Sequence, residues 1–280
     1  MGLLSHHWQM AATPQQQHQN LQRLLGSILG SPPCSCADDA SAAACLRDAQ
    51  RMPLSHSTSQ TVFDAIVATD QLLSNDARGV ISRPVDIELG TTNDVFVYLG
   101  TPAFPKKEFA FVFKCSLTES NNCRAVATPF DSGGCATHFG LPAGTHVAFV
   151  RNHELPVPEC RGYLAAMLGH CFASVESYLS GYPYFECPGC HAALADPHGL
   201  QRSPSQDHGL DRVHEVRIEG KISLDPHLAA VIVPRGFASP SLARLRSRGV
   251  RVITYERDAP DPNPLRARAT AVFLSEFLAP

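Results

Sequence analysis

The chain has little that marks a specialised environment. It holds 1 Trp and 4 Met in 280 residues, and charged residues make up 18%. Its formal net charge is −3 with the histidines neutral, so no excess of one sign draws the whole molecule to nucleic acid or to an anionic membrane. No apolar run approaches the roughly 20 residues that cross a bilayer, and no membrane contact is expected. The opening Met1-Gly-Leu-Leu-Ser-His-His-Trp8 has neither the basic start nor the apolar stretch of a secretory signal. His6 stands where a myristoylation pattern wants Ser or Thr. Without an export signal, the 10 cysteines are expected as reduced thiols in a cytoplasmic protein. What is present is a hydrophobic fraction of 44%, enough in a chain of this length to bury a core without staples.

Residues 1–58 read as a separate N-terminal segment, partly flexible with one short helix. Leu21, Leu24, Leu25 and Ile28 recur at helical spacing and stop at Gly30 and Pro32-Pro33. From residue 59 onward, short apolar runs alternate with turn residues. Strands are predicted at Asp94–Leu99, Phe109–Lys114, Val147–Val150, Glu215–Ile218, Leu228–Val233 and Val250–Tyr255. Val62–Val67 fits a strand or the start of a helix. Helices are predicted over Asp70–Leu73, residues 160–180, Ser241–Arg248 and Leu265–Leu278. Strands and helices mix without a regular βαβ repeat, so residues 59–280 are expected to form one α+β domain. Its sheet would be mixed and mostly antiparallel, with flanking helices.

Several local patterns could carry chemistry. Asp131-Ser132-Gly133-Gly134 resembles the nucleophile loop of trypsin-like proteases, but Phe130 replaces the preceding glycine and His170 follows the serine, the reverse of that order. The plain reading is a turn whose Asp131 and Ser132 bond the local backbone and can still line a site. Cys187-Pro-Gly-Cys190-His191 has the haem-attachment spacing, which needs an export route this chain does not show. The same residues make half of a tetrahedral zinc site, completed by His198, Cys171 or Cys160. In that case the chain would be a non-catalytic, zinc-stabilised module that binds a partner protein. Glu219-x-Lys221, with Asp207 or Asp211 upstream, fits a third reading, a Mg²⁺-dependent nuclease. Arg244, Arg246, Arg248 and Arg251 read as a solvated basic face.

The segment Asp211-Arg212…Glu215-Val-Arg-Ile218, a short turn with Ile222-Ser-Leu224, and Leu228–Val233 resembles the C-terminal part of DarT-like ADP-ribosyltransferases. In that family a glutamate opens a strand, a polar turn follows, and a second apolar strand closes the core. Val62–Leu73, followed by a strand ending near Gly100-Thr101-Pro102, is loosely similar to the family's NAD-binding half. The family's His-x-Thr near its first strand has no counterpart there, where Asp64 and Ala65 stand. The resemblance implies an ADP-ribosyltransferase-like fold and an intracellular, toxin-like enzyme that consumes NAD and modifies a macromolecule, nucleic acid or protein. Glu215 would be its catalytic residue, since a carboxylate on the ribose stabilises the cation formed as nicotinamide leaves. Arg83 would hold the pyrophosphate. Tyr98, Asp131 and Ser132 complete the expected NAD-binding set.

Overall fold

The computed structural model describes residues 47–100, 107–119, 124–138, 141–171 and 214–256, with residues 15 and 19. In chain order its elements are β1 (Leu54–Thr58), α1 (Gln60–Thr69), β2 (Gln71–Leu73), α2 (Pro84–Leu89), β3 (Asp94–Leu99) and β4 (Phe109–Phe113). After a 3₁₀ turn at Cys115–Thr118 come β5 (Ala125–Thr128), α3 (Cys135–His138), α4 (His146–Asn152) and α5 (Val157–Cys171). The last are β6 (Glu215–Glu219), β7 (Lys221–Ser223), β8 (Leu228–Pro234), α6 (Pro240–Ser247) and β9 (Arg251–Tyr255).

Seven strands form one sheet in the order β5-β6-β3-β1-β4-β8-β9, and β2 pairs with β7 separately. Every pairing is antiparallel except β8 with β9. A parallel neighbour needs a crossover, and α6 supplies it. The Ser239 hydroxyl accepts from the Leu242 N–H at 3.1 Å and Pro240 occupies the first turn, so this helix starts where its sequence says. The fold is therefore α+β with a mixed, mostly antiparallel sheet.

The core lies against the middle of the sheet. β4 is Phe-Ala-Phe-Val-Phe, and all five residues are buried. α1 buries Phe63, Ile66 and Val67, a helical stripe. The Phe63 ring sits 5.1 Å from Phe109, 5.0 Å from Phe111 and 5.9 Å from Phe237, distances at which aromatic pairs add to simple burial.

Three sequence expectations fail here. The division at 58/59 cuts through the structure: β1 lies between β3 and β4 in the sheet, and Ala49, Met52 and Leu54 belong to the core. One buried Nη of Arg161, from α5, donates to the carbonyls of Ala49, Gln50 and Met52 at 2.8, 3.1 and 2.7 Å, fastening residues 49–52 to the domain. The polar run His56-Ser57-Thr58 concealed the strand, because a serine-rich sequence reads as loop until its register is known. Asp70–Leu73 is not helical: Asp70 adopts φ 57° and ends α1, and Gln71–Leu73 pairs with Lys221–Ser223. Val147–Val150 lies in α4, where Val150 packs with Leu89, Phe130 and Cys135 in a second small core. A four-residue apolar run fits helix or strand equally by periodicity. Residues 172–180 and Leu265–Leu278 lie outside the described residues.

Candidate functional site

The strands β5, β6 and β3 present two unlike faces. The register aligns Thr128 with Glu215 and Glu215 with Tyr98, while Tyr98 aligns with Ser55 on β1. Residues opposite one another in a sheet share a face, and alternate residues along a strand do too. One face therefore carries Ser55, Tyr98, Glu215 and Thr128, followed one step along by Arg217, Phe96 and Val126 and a further step along by Asp94 and Glu219. The other carries Val95, Val97, Leu99, Val216, Ile218 and Ala127, all in the main core.

Glu215 opens β6 and is 1% exposed. Directly after β5 the chain turns at Phe130, whose carbonyl accepts from the Thr128 hydroxyl at 2.9 Å. This turn delivers Asp131 and Ser132 to Glu215: the Ser132 hydroxyl donates to Glu215 Oε1 at 2.5 Å, and the Asp131 carboxyl hydrogen-bonds it as well. Burial pushes the Glu215 carboxyl well above the ordinary carboxylate range, and the charge of Asp131 adds to this. The Ser132 bond and the Arg217 charge pull the other way and lose. Glu215 and Asp131 thus stand as two carboxyl groups side by side in a buried site. Burial first, then Glu215 and Asp131, raise the Tyr98 hydroxyl well above its usual value. The same causes push the Cys135 thiol up to about 12, so Cys135 is a neutral wall of the site rather than a nucleophile.

Arg83 is the exposed cation of this cluster. Its Nε and Nη2 donate to the two oxygens of buried Asp86 at 3.0 and 2.9 Å. The guanidinium lies over Gly133, where an added Cβ would meet Arg83 Nη2 at 2.8 Å. Its charge also faces Asp131 and Tyr98. Arg83 retains 54% side-chain exposure while Asp86 keeps 2%, so it is anchored at one edge and open to solvent at the other.

The structure therefore brings Glu215, Tyr98, Asp131, Ser132 and Arg83 together. Cys187, Cys190 and His191, like Asp207 and Asp211, lie outside the described residues. Among the described residues no three His, Cys, Asp or Glu side chains converge as a metal would require. Glu219 and Lys221 flank Gly220 but enter different sheets, and Glu219 pairs with Arg124 at 3.1 Å. The basic helix is partly occupied: Arg248 pairs with Asp70, and Arg244 donates to the Ala68 carbonyl at 3.2 Å.

Sequence reasoning missed Asp86 and Cys135 as neighbours of the site, because only tertiary packing brings them there; Arg217, two residues from Glu215, is the neighbour that the sequence offers as a partner for its carboxylate, and its charge does act on Glu215. It also missed a His-x-Thr string, His56-Ser57-Thr58, which stands on β1 itself rather than at Asp64. Strand alternation places Ser55 and Ser57 on the Glu215 face and His56 on the opposite one, where His56 Nδ1 lies 2.8 Å from the Phe96 carbonyl. Burial lowers the His56 pKa, opposed by that bond.

No protein-family model matches this chain, and no curated protein matches it. No described helix is long and apolar enough to cross a membrane. The functional reading rests on the site alone.

Proposed function

We propose that the chain is an ADP-ribosyltransferase-like enzyme that consumes NAD and transfers ADP-ribose to a macromolecule, nucleic acid or protein. The observation that carries this reading is Glu215 at the head of β6, aligned with Tyr98 and bonded by Ser132 at 2.5 Å. In the reaction the ribose–nicotinamide bond breaks and its electron pair leaves with nicotinamide. A nucleophile of the acceptor then bonds the ribosyl carbon and gives up its proton. In its ionised form the Glu215 carboxylate supplies negative charge against the developing cation in a site sheltered from water, where such charge acts most strongly. Arg83, anchored by Asp86, offers its open side to the pyrophosphate. Ser132 and Asp131 cover the Glu215 carboxyl, so NAD reaches it by displacing their turn. The free thiols Cys115, Cys135 and Cys160 suit the cytoplasm, where thiols stay reduced.

The test is nicotinamide release from NAD by the purified chain, with and without cell lysate. Wild type is expected to release it, and Glu215→Gln to lower the rate by about 10²–10³-fold, the range for removing one group that stabilises transition-state charge. Equal rates in the two proteins would remove Glu215 from the reaction.

A further inference from the structure

Glu215 is covered by a short span of chain with two fixed ends. Asp131–Gly134 runs between Phe130 and Cys135, which are both buried in the second small core with Leu89 and Val150. At the Phe130 end the carbonyl accepts from the Thr128 hydroxyl at 2.9 Å, and the ring lies 5.2 Å from Phe149 and 5.7 Å from His153. Between these ends Ser132 and Asp131 bond the Glu215 carboxyl. Gly133 and Gly134 follow them, and paired glycines resist a backbone swing least. Glu215 itself is fixed, because β6 pairs with β3 and β5.

The bond between Asp131 and Glu215 joins two carboxyl groups, and two carboxylates cannot bond each other without a proton between them. With that proton the pair attracts; with both groups ionised, like charges stand in contact in a buried site. We infer that Asp131–Gly134 is an acid-locked cover, down while Asp131 and Glu215 share one proton and lifting from Glu215 when both are ionised. Burial raises the covered Glu215 carboxyl above its usual range, whereas an uncovered one titrates near the ordinary value. The closed form is therefore favoured in full below about pH 4 and loses ground as pH rises towards the covered value, by up to about tenfold per pH unit. Around the pair stand Tyr98 on β3, Cys135 on α3, Arg217 on β6 and Arg83 ahead of α2. Tyr98 and Cys135 are raised and neutral, and Arg217 is held by Glu154. Arg83, bonded to Asp86, half-exposed over Gly133 and facing Asp131, is the cation that draws the lifted carboxylate. His153 packs behind Phe130, and the His214 ring lies against Tyr163 at 5.6 Å. The cover opens for the same ionised carboxylate that the proposed NAD chemistry uses, yet its motion is read without NAD.

The experiment is alkylation of the full chain with iodoacetamide from pH 5 to pH 8, without NAD, each thiol being read by peptide mass. Cys135 lies beside the covered carboxyls. Cys160 on α5, also buried and also pushed up to about 12 by burial, is the reference. The Cys135/Cys160 rate ratio therefore cancels the pH dependence of thiol chemistry and of global unfolding. In wild type the ratio is expected to rise at least tenfold over that range. Glu215→Gln removes one of the two charges, and Asp131→Asn gives an ionised Glu215 a donor in place of a like charge, so the ratio is expected to stay flat in both. Should Glu215→Gln fail to fold, Asp131→Asn decides alone. A flat ratio in wild type would overturn the inference, as would an undiminished rise in either folded variant, which would assign the opening to another group such as His153. A chain that shows the rise but releases no nicotinamide keeps the cover and loses only the NAD reading.

Discussion

β4 and β6 are both five-residue strands with a partner on each side, yet they are built to opposite ends. β4 is apolar on both faces and entirely buried. β6 alternates Glu-Val-Arg-Ile-Glu, and its first four residues are also buried, including Glu215 and Arg217. A buried charge is tolerated only when paired and hydrogen-bonded, and each of these has its partners: Ser132 and Asp131 for Glu215, Glu154 for Arg217. The difference separates a strand that holds the fold from one that holds chemistry.

Breaking β4 should cost the most. Phe111→Ala leaves a cavity beside Phe63 and Phe113 and is expected to lower stability by about 3–5 kcal/mol, read from urea unfolding. Cutting the buried pair on the β6 side comes next. Glu154→Ala strands Arg217 and is expected to cost about 3–5 kcal/mol, whereas Glu154→Leu combined with Arg217→Met recovers most of it. A double variant as unstable as the single one would show that apolar packing cannot replace this pair.

Glu215→Gln should move stability the other way. The folded-state pKa of Glu215 is raised, so its protonated form is favourable below the unfolded-state value near pH 4, and that contribution is lost as pH rises towards the folded value. Glutamine mimics the protonated acid at every pH. The variant is therefore expected to match wild type near pH 4 and to melt higher at pH 8, with the gap widening between. A constant difference across that range would show that Glu215 is not held protonated. The smallest effect is at Gly133, where an alanine Cβ would press on Arg83 Nη2, the mobile end of a half-exposed side chain. Gly133→Ala should change stability by less than about 1 kcal/mol while raising the KM for NAD.

The strands with strong β character were legible in the sequence. Asp94–Leu99, Phe109–Phe113 and Leu228–Pro234 announce themselves by β-branched and aromatic residues. β1 was not, because Ser55, His56 and Ser57 give no apolar alternation and the strand is recognisable only by its pairing with β3 and β4. Of the site, Glu215 and the Asp131-Ser132-Gly-Gly turn stood out by residue type, and Arg83 and Tyr98 by charge and position. That they meet was invisible, since 83 residues of chain separate Ser132 from Glu215. Only the antiparallel pairing of β5 with β6 closes that distance.

The most direct test measures nicotinamide release per folded molecule in wild type, Glu215→Gln and Phe111→Leu side by side. The account predicts that Glu215→Gln is the more stable protein and nearly inactive, while Phe111→Leu is less stable and turns over normally once folded. Full turnover in Glu215→Gln, or none in wild type, would contradict it.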